Sequence, residues 1–158
     1  MRNPYNSRRA STNNQTINLD SSLERYKKFI TSIVKNQQVW GLYTDGWAIG
    51  ATSQGRNVLP LWSEKTYAQF CKTDSWEDYE ATSMTLESFI FKLLPFTSKQ
   101  NYLLSLMMTP DGKSVFIEPD KVLSDIKSFL YDIYVQQPDF FKNNPGVPLP
   151  RKIRLSSV

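Results

Sequence analysis

From residue 20 the chain carries a helical rhythm. Leu23, Tyr26, Phe29, Ile30, Ile33 and Val34 recur at three- and four-residue steps, the apolar stripe of an amphipathic helix. Ser21 and, three residues on, Glu24 mark its start as a capping box. The rhythm then changes to strands. QVWGLYT (38–44) and WAIGATS (47–53) flank Asp45-Gly46, the dipeptide preferred in a type I′ turn because both turn positions need positive φ. That loop sets Thr44 against Trp47, Leu42 against Ile49 and Trp40 against Ala51, six residues on one mostly apolar face that is expected to meet the core. Gly41 and Gly50 oppose each other on the other face, leaving room for a ring or another backbone to approach.

A turn at residues 53–57 leads to VLPLW, whose proline predicts an edge strand or a broken one. Ser63 is positioned to cap a helix carrying Tyr67, Phe70 and Cys71 on one side. The segment TDSWEDYEATSM (73–84) has no clear period, so a strand there is only optional. Thr85 caps the next helix, with Leu86, Phe89, Ile90, Leu93 and Leu94 at core spacing and Pro95 as its end. NYLLSLMMT and KSVFIE form a second hairpin around Pro110-Asp111-Gly112, read as a type I turn with a glycine bulge. Leu104, Leu106 and Phe116 are expected on one of its faces and Met107, Val115 and Ile117 on the other. Two apolar faces imply a central place in the sheet or contact with a partner. The last helix opens at Pro119-Asp120 and buries Val122, Ile126, Phe129, Leu130 and Ile133. Hairpins without βαβ units give an α+β fold, a mostly antiparallel sheet built from hairpins with about four helices packed on it.

Composition changes this picture in three ways. The 158 residues suit one domain, and no apolar run reaches the ~20 residues of a membrane helix. The opening residues lack the apolar stretch of a secretory signal, and a single cysteine forms no intrachain disulfide, so a cytoplasmic location is expected. The absence of histidine excludes Ser-His-Asp and Cys-His catalysis, HExxH metal sites and histidine-bearing zinc fingers. With one cysteine and no GxGxxG or GxxxxGK[ST] loop, no metal and no cofactor is expected.

The net charge of +4 lies at the ends of the chain. Arg2, Arg8 and Arg9 face only Asp20 in residues 1–20, and Lys142, Arg151, Lys152 and Arg154 face no acid in residues 141–158. The remainder holds 12 basic and 14 acidic side chains. The expected organisation is a disordered basic tail over 1–20, a single domain over 21–140, and a Pro-rich basic tail over 141–158.

The stretches ERYKKFI, VWGLYTDGWAI, VLPLWSEKTYAQFC, W-E-D-Y-E and TPDGK together resemble a bacterial family of unknown function, DUF 2750, over about residues 21–134. The passage of a strand through Pro-Leu-Trp-Ser into a helix resembles, more remotely, the SseB-like domains. The resemblance implies no activity, so it assigns no catalytic residue. Bacterial proteins of this size and layout include immunity proteins against contact-delivered toxins, which is an analogy of architecture.

The densest polar cluster is Asp74, Glu77, Asp78 and Glu80, interleaved with Trp76 and Tyr79. Carboxylates one to three residues apart in a loop do not fix an acid–base geometry, nor is there a calcium loop with its glycine. Either this is a solvated loop with its aromatics turned inward, or the acids steer a basic partner onto Trp and Tyr anchors. Trp40, Trp47 and Trp62 read as core, with Trp47 beside its turn the one open to a binding role. Cys71 has no histidine to activate it and reads as a buried thiol. The expected function is a non-enzymatic protein-interaction module, of the kind that neutralises a toxin. Its partner surface would comprise Asp74, Trp76, Glu77, Asp78, Tyr79, Glu80 and Trp47. The alternative is a nucleic-acid-associated module using the basic tails and exposed aromatics.

Overall fold

A first helix, α1 (22–36), turns Phe29, Ile30, Ile33 and Val34 inward, the stripe its spacing predicts. This is a computed structural model, and it describes residues 22–155. The proposed Ser21 cap and the 1–20 segment lie outside the described residues. Strand β1 (Gln38–Thr44) then runs between β2 (Gly46–Trp47) and β5 (Glu80–Thr85) in a three-stranded antiparallel sheet. A second sheet has the order β3-β4-β6-β7, from β3 (Gly50–Ala51), β4 (Asn57–Leu61), β6 (Leu103–Leu106) and β7 (Val115–Ile117). Four of the five ladders are antiparallel and β4–β6 is parallel. The fold is α+β, in two sheets rather than one.

The first hairpin departs from its expected register. Tyr43 pairs with Trp47 and Thr44 with Gly46, so Asp45 makes the turn alone, at φ 48°, while Gly46 stays out of the left-handed region. A type I′ turn needs both. The one-residue slip carries Trp47 to the face opposite Leu42. The second arm then leaves: Gly50 and Ala51 pair with Val58 and Asn57 of β4, and Trp40 meets Trp62 across an isolated bridge. Pro60 falls between these two short pairings, where its missing N–H costs no ladder bond, which accounts for a proline in a strand flanked on both sides.

The six residues of β5, with no apolar alternation to announce them, pair with all of β1 but Thr44, from Gln38↔Thr85 to Tyr43↔Glu80. Each face of this sheet has its own core. Val39, Met84 and Trp47 join the main core of Phe29, Leu61, Phe89, Leu104, Ile126 and neighbours. Leu42 and Ala81 face a smaller core of Ala48, Trp62, Ala68 and Cys71. The indole of Trp62, fully buried, gives its N–H to the Met108 carbonyl at 2.9 Å, which removes the cost of an unpaired donor.

Helix α2 (Lys65–Phe70) is preceded by Glu64 at the N-cap rather than Ser63, which is buried beside Met107. Its inner face is Ala68 with Cys71, and Tyr67 and Phe70 point outward. Thr85 caps the next helix as its sequence predicts, its hydroxyl accepting from the Ser88 N–H at 3.0 Å. Pro95 does not end that helix. A π-turn over Phe89–Leu93 joins α3 (Leu86–Ser88) to α4 (Leu94–Lys99) in one continuous helical run, and the widened turn just before Pro95 accommodates a residue without an N–H.

In the second hairpin Gly112, at φ 89°, closes the turn by donating to the Thr109 carbonyl. Leu104 faces Ile117 and Leu106 faces Val115, so Phe116 sits on the opposite side with Ser105 and is exposed. Helix α5 (Pro119–Gln136) buries Val122, Ile126 and Leu130, with Phe129 and Ile133 packed alongside. The run from 141, expected as a tail, is part of the domain where it is described. Around helix α6 (Asp139–Asn143) and the 3₁₀ turn Pro150–Lys152, Phe141, Val147 and Ile153 join the main core. Arg56 ties the β3–β4 connection to the end of β7. Its guanidinium donates to both Glu118 oxygens and to the Asn101 and Tyr102 carbonyls, and holds the Glu118 carboxyl below its usual range.

Candidate functional site

The expected partner surface begins where α2 ends. Cys71 is held down by the core, and its thiol points to the Met108 carbonyl at 3.3 Å. Burial pushes that thiol's pKa up, the opposite of what a nucleophile needs. The chain then bends through Asp74, at φ 56°, a left-handed conformation that Asp tolerates better than most residues. A short 3₁₀ turn, Asp74–Trp76, delivers the chain to Glu80 at the head of β5.

This path separates the aromatic residues from the acids. Trp76 and Tyr79 are half-buried and pack on the smaller core, while Asp74, Glu77, Asp78 and Glu80 are all exposed. Glu80 lies 3.6 Å from the Lys72 ammonium. Among the described residues no basic group comes within ion-pair distance of Asp74, Glu77 or Asp78. Nor do three acidic or cysteine side chains among the described residues gather to hold a metal. Trp47 stands two strands from Glu80 with Tyr43 between them. Its ring lies on the main core and meets Tyr43 edge-on at 5.0 Å, so its indole braces the sheet.

A cleft of about 180 Å³ opens between this segment and the hairpin turn, lined by Cys71, Asp74, Trp76, Met108 and Pro110 among others. On the other side of Met108, Thr109 and Pro110 lies a second, apolar cleft of about 310 Å³, walled by Tyr67, Phe70 and Met107 with Arg25 and Lys28 at its edge. Tyr67 is 41% exposed and Phe70 58%. The face expected to hold Tyr67, Phe70 and Cys71 together is thus split, with Cys71 buried and the two rings exposed. The signal that could have placed them outward is the small pair Ala68 and Cys71, three residues apart, which suits close packing of a short helix on a sheet. The aromatic residues that open to solvent on the two sides of Met108–Pro110 are therefore Trp76 on one and Tyr67 and Phe70 on the other.

Among the described residues no helix is long and apolar enough to cross a membrane. No curated protein and no solved structure matches the chain. Residues 26–126, from the second turn of α1 to the middle of α5, match a family model and take in both sheets and the acidic segment. On that match the chain belongs to the family described as Protein of unknown function (DUF2750).

Proposed function

We propose that this protein is a non-enzymatic, cytoplasmic binding module that holds a basic protein partner, in the manner of a bacterial immunity protein that neutralises a cognate toxin. One observation carries the reading. Four carboxylates are exposed within seven residues, three without a basic partner among the described residues, and the exposed Tyr67 and Phe70 wall the neighbouring cleft across Met108, Thr109 and Pro110. Such a field speeds the encounter with a cationic surface, and aromatic anchors at its edge slow the release. Cys71, the one cysteine, is buried and its thiol raised in pKa, which favours binding over nucleophilic chemistry at this cleft.

The test is co-expression of the chain with the product of the adjacent gene in its genome. A complex that survives purification, protects the cell, and is lost when Glu77, Asp78 and Glu80 are all changed to Lys is the expected result. No complex and no protection would overturn the reading.

A further inference from the structure

A different cleft, sharing no residue with the acidic surface, lies where α5 meets the segment after α6. Tyr131 and Tyr134, three residues apart on α5, form one wall with Lys127, and Leu149, Pro150 and Arg151 form the other, around about 270 Å³. Tyr131 is 59% exposed and Tyr134 48%. Tyr134 is nonetheless held in place, its ring 6.1 Å from that of the core residue Phe141. Lys127 donates from Nζ to the Ile153 carbonyl at 2.7 Å, which keeps the ammonium at the cleft and leaves two of its three donors for a ligand. Arg151, Lys152 and Arg154 follow along the same segment, all exposed.

Both acids of α5 that line a cleft, Asp125 and Asp132, lie in the groove with α1, where Lys121 pairs with Asp125, and no acidic residue is among the described residues that line the tyrosine cleft. Exposed tyrosines beside cations that have no ion-pair partner among the described residues suit a flat aromatic group that carries negative charge. The volume is below the roughly 300–1,000 Å³ of pockets for drug-sized molecules, so the cleft takes one such unit at a time.

We propose that this cleft binds single-stranded nucleic acid, one base stacking on the exposed tyrosines while the phosphates on either side pair with Lys127, Arg151 and the cations that follow. Stacking on tyrosine needs only the face of a base, so binding is tolerant of sequence. The phosphate contacts make it salt-dependent, because each cation displaces counterions from the strand. Basic residues that look like a loose tail in the sequence thus become one rim of a shaped site.

The experiment is fluorescence anisotropy of an end-labelled oligothymidylate of about ten nucleotides, titrated with the full-length chain at about 50 mM salt. Tyr131→Ala is expected to weaken binding about fivefold or more, with the melting curve unchanged, and Tyr131→Phe to retain it. Arg151→Gln is expected to make the log–log salt slope shallower by about 0.7, one phosphate contact on a single strand. Thymidine monophosphate should compete only weakly, since it brings one phosphate instead of a run of them. Three results would overturn the proposal: no binding at low salt, equal affinity for an abasic strand of the same length, or binding unmoved by both substitutions. Competition by the monophosphate at the strand's own affinity would overturn the assignment to a strand.

Discussion

Gly41 lies directly beneath the indole of Trp47. A methyl group at residue 41 would come 2.8 Å from Cε3 and 2.9 Å from Cζ3 of that ring, closer than carbon atoms pack. The glycine is there to let the ring down onto the sheet, and the ring in turn covers the edge of the main core. Gly41→Ala is therefore expected to destabilise the fold by about 1–3 kcal/mol, the usual scale of overpacking. The check is a double-mutant cycle with Trp47→Ala read by denaturant melting. In the Trp47→Ala background the same glycine change should cost almost nothing, and a cost unaltered by removing the ring would refute the relationship.

That close approach was legible in the sequence in kind but not in partner. Two glycines at matched positions announced space for a ring, yet the expected register set Gly41 against Gly50 and left Trp47 on the other face. A turn made by Asp45 alone is invisible to a rule built on the Asp-Gly dipeptide, and a slip of one residue flips every side chain beyond it. The stripes of α1 and α5, the Thr85 cap and the Pro110-Asp111-Gly112 turn were readable because each is decided within a few residues. Strand β5 was not, since Glu80–Thr85 is placed by pairing with β1 some forty residues earlier and meets a core on each face without alternating. The acidic segment was found by charge alone. Its exposed neighbours Tyr67 and Phe70 were not, because a helix of six residues is too short for its apolar period to say which side is in.

Thr85 closes the start of α3 with a single hydrogen bond, accepted at 3.0 Å from the Ser88 N–H. Thr85→Ala removes the acceptor and should cost about 1 kcal/mol, while Thr85→Ser should cost much less because the hydroxyl is kept. Thermal melting of the two variants side by side checks this. Equal losses would mean that the β-branched carbon at the end of β5, not the cap, supplies the stability.

Tyr26 and Asp125 join α1 to α5 through a 2.5 Å hydrogen bond from the phenol to the carboxylate. Burial first, then this bond and the nearby negative charge, push the Tyr26 pKa well above its ordinary value of 10.0. A folded-state pKa above the unfolded one means that the native state holds its proton longer. The contribution is therefore fully present below about pH 10 and is lost as the pH rises through the folded value. Melting temperature should fall above that pH in the wild type, and Tyr26→Phe should flatten the slope while lowering stability at neutral pH. An identical alkaline slope in both proteins would show that other groups carry it.

The acidic segment divides into side chains that steer and a ring that supports. Glu77, Asp78 and Glu80 are exposed, and among the described residues their one ion pair is the loose contact of Glu80 with Lys72 at 3.6 Å. Changing all three to Lys should leave folding stability nearly unchanged, since exposed charges of this kind contribute little. The same change should slow association with a basic partner strongly at low salt and only slightly at high salt, where screening already removes long-range attraction. Trp76 behaves differently because it packs on the smaller core and also walls the cleft. Trp76→Ala should lower stability, by less than the roughly 3–5 kcal/mol of a fully buried tryptophan, and should speed dissociation as well. Phe70→Ala separates the two effects, because that ring is 58% exposed and its loss touches the partner more than the core. Melting curves and stopped-flow rates for the three variants decide the matter. A partner whose off-rate ignores both Trp76→Ala and Phe70→Ala does not bind through this surface.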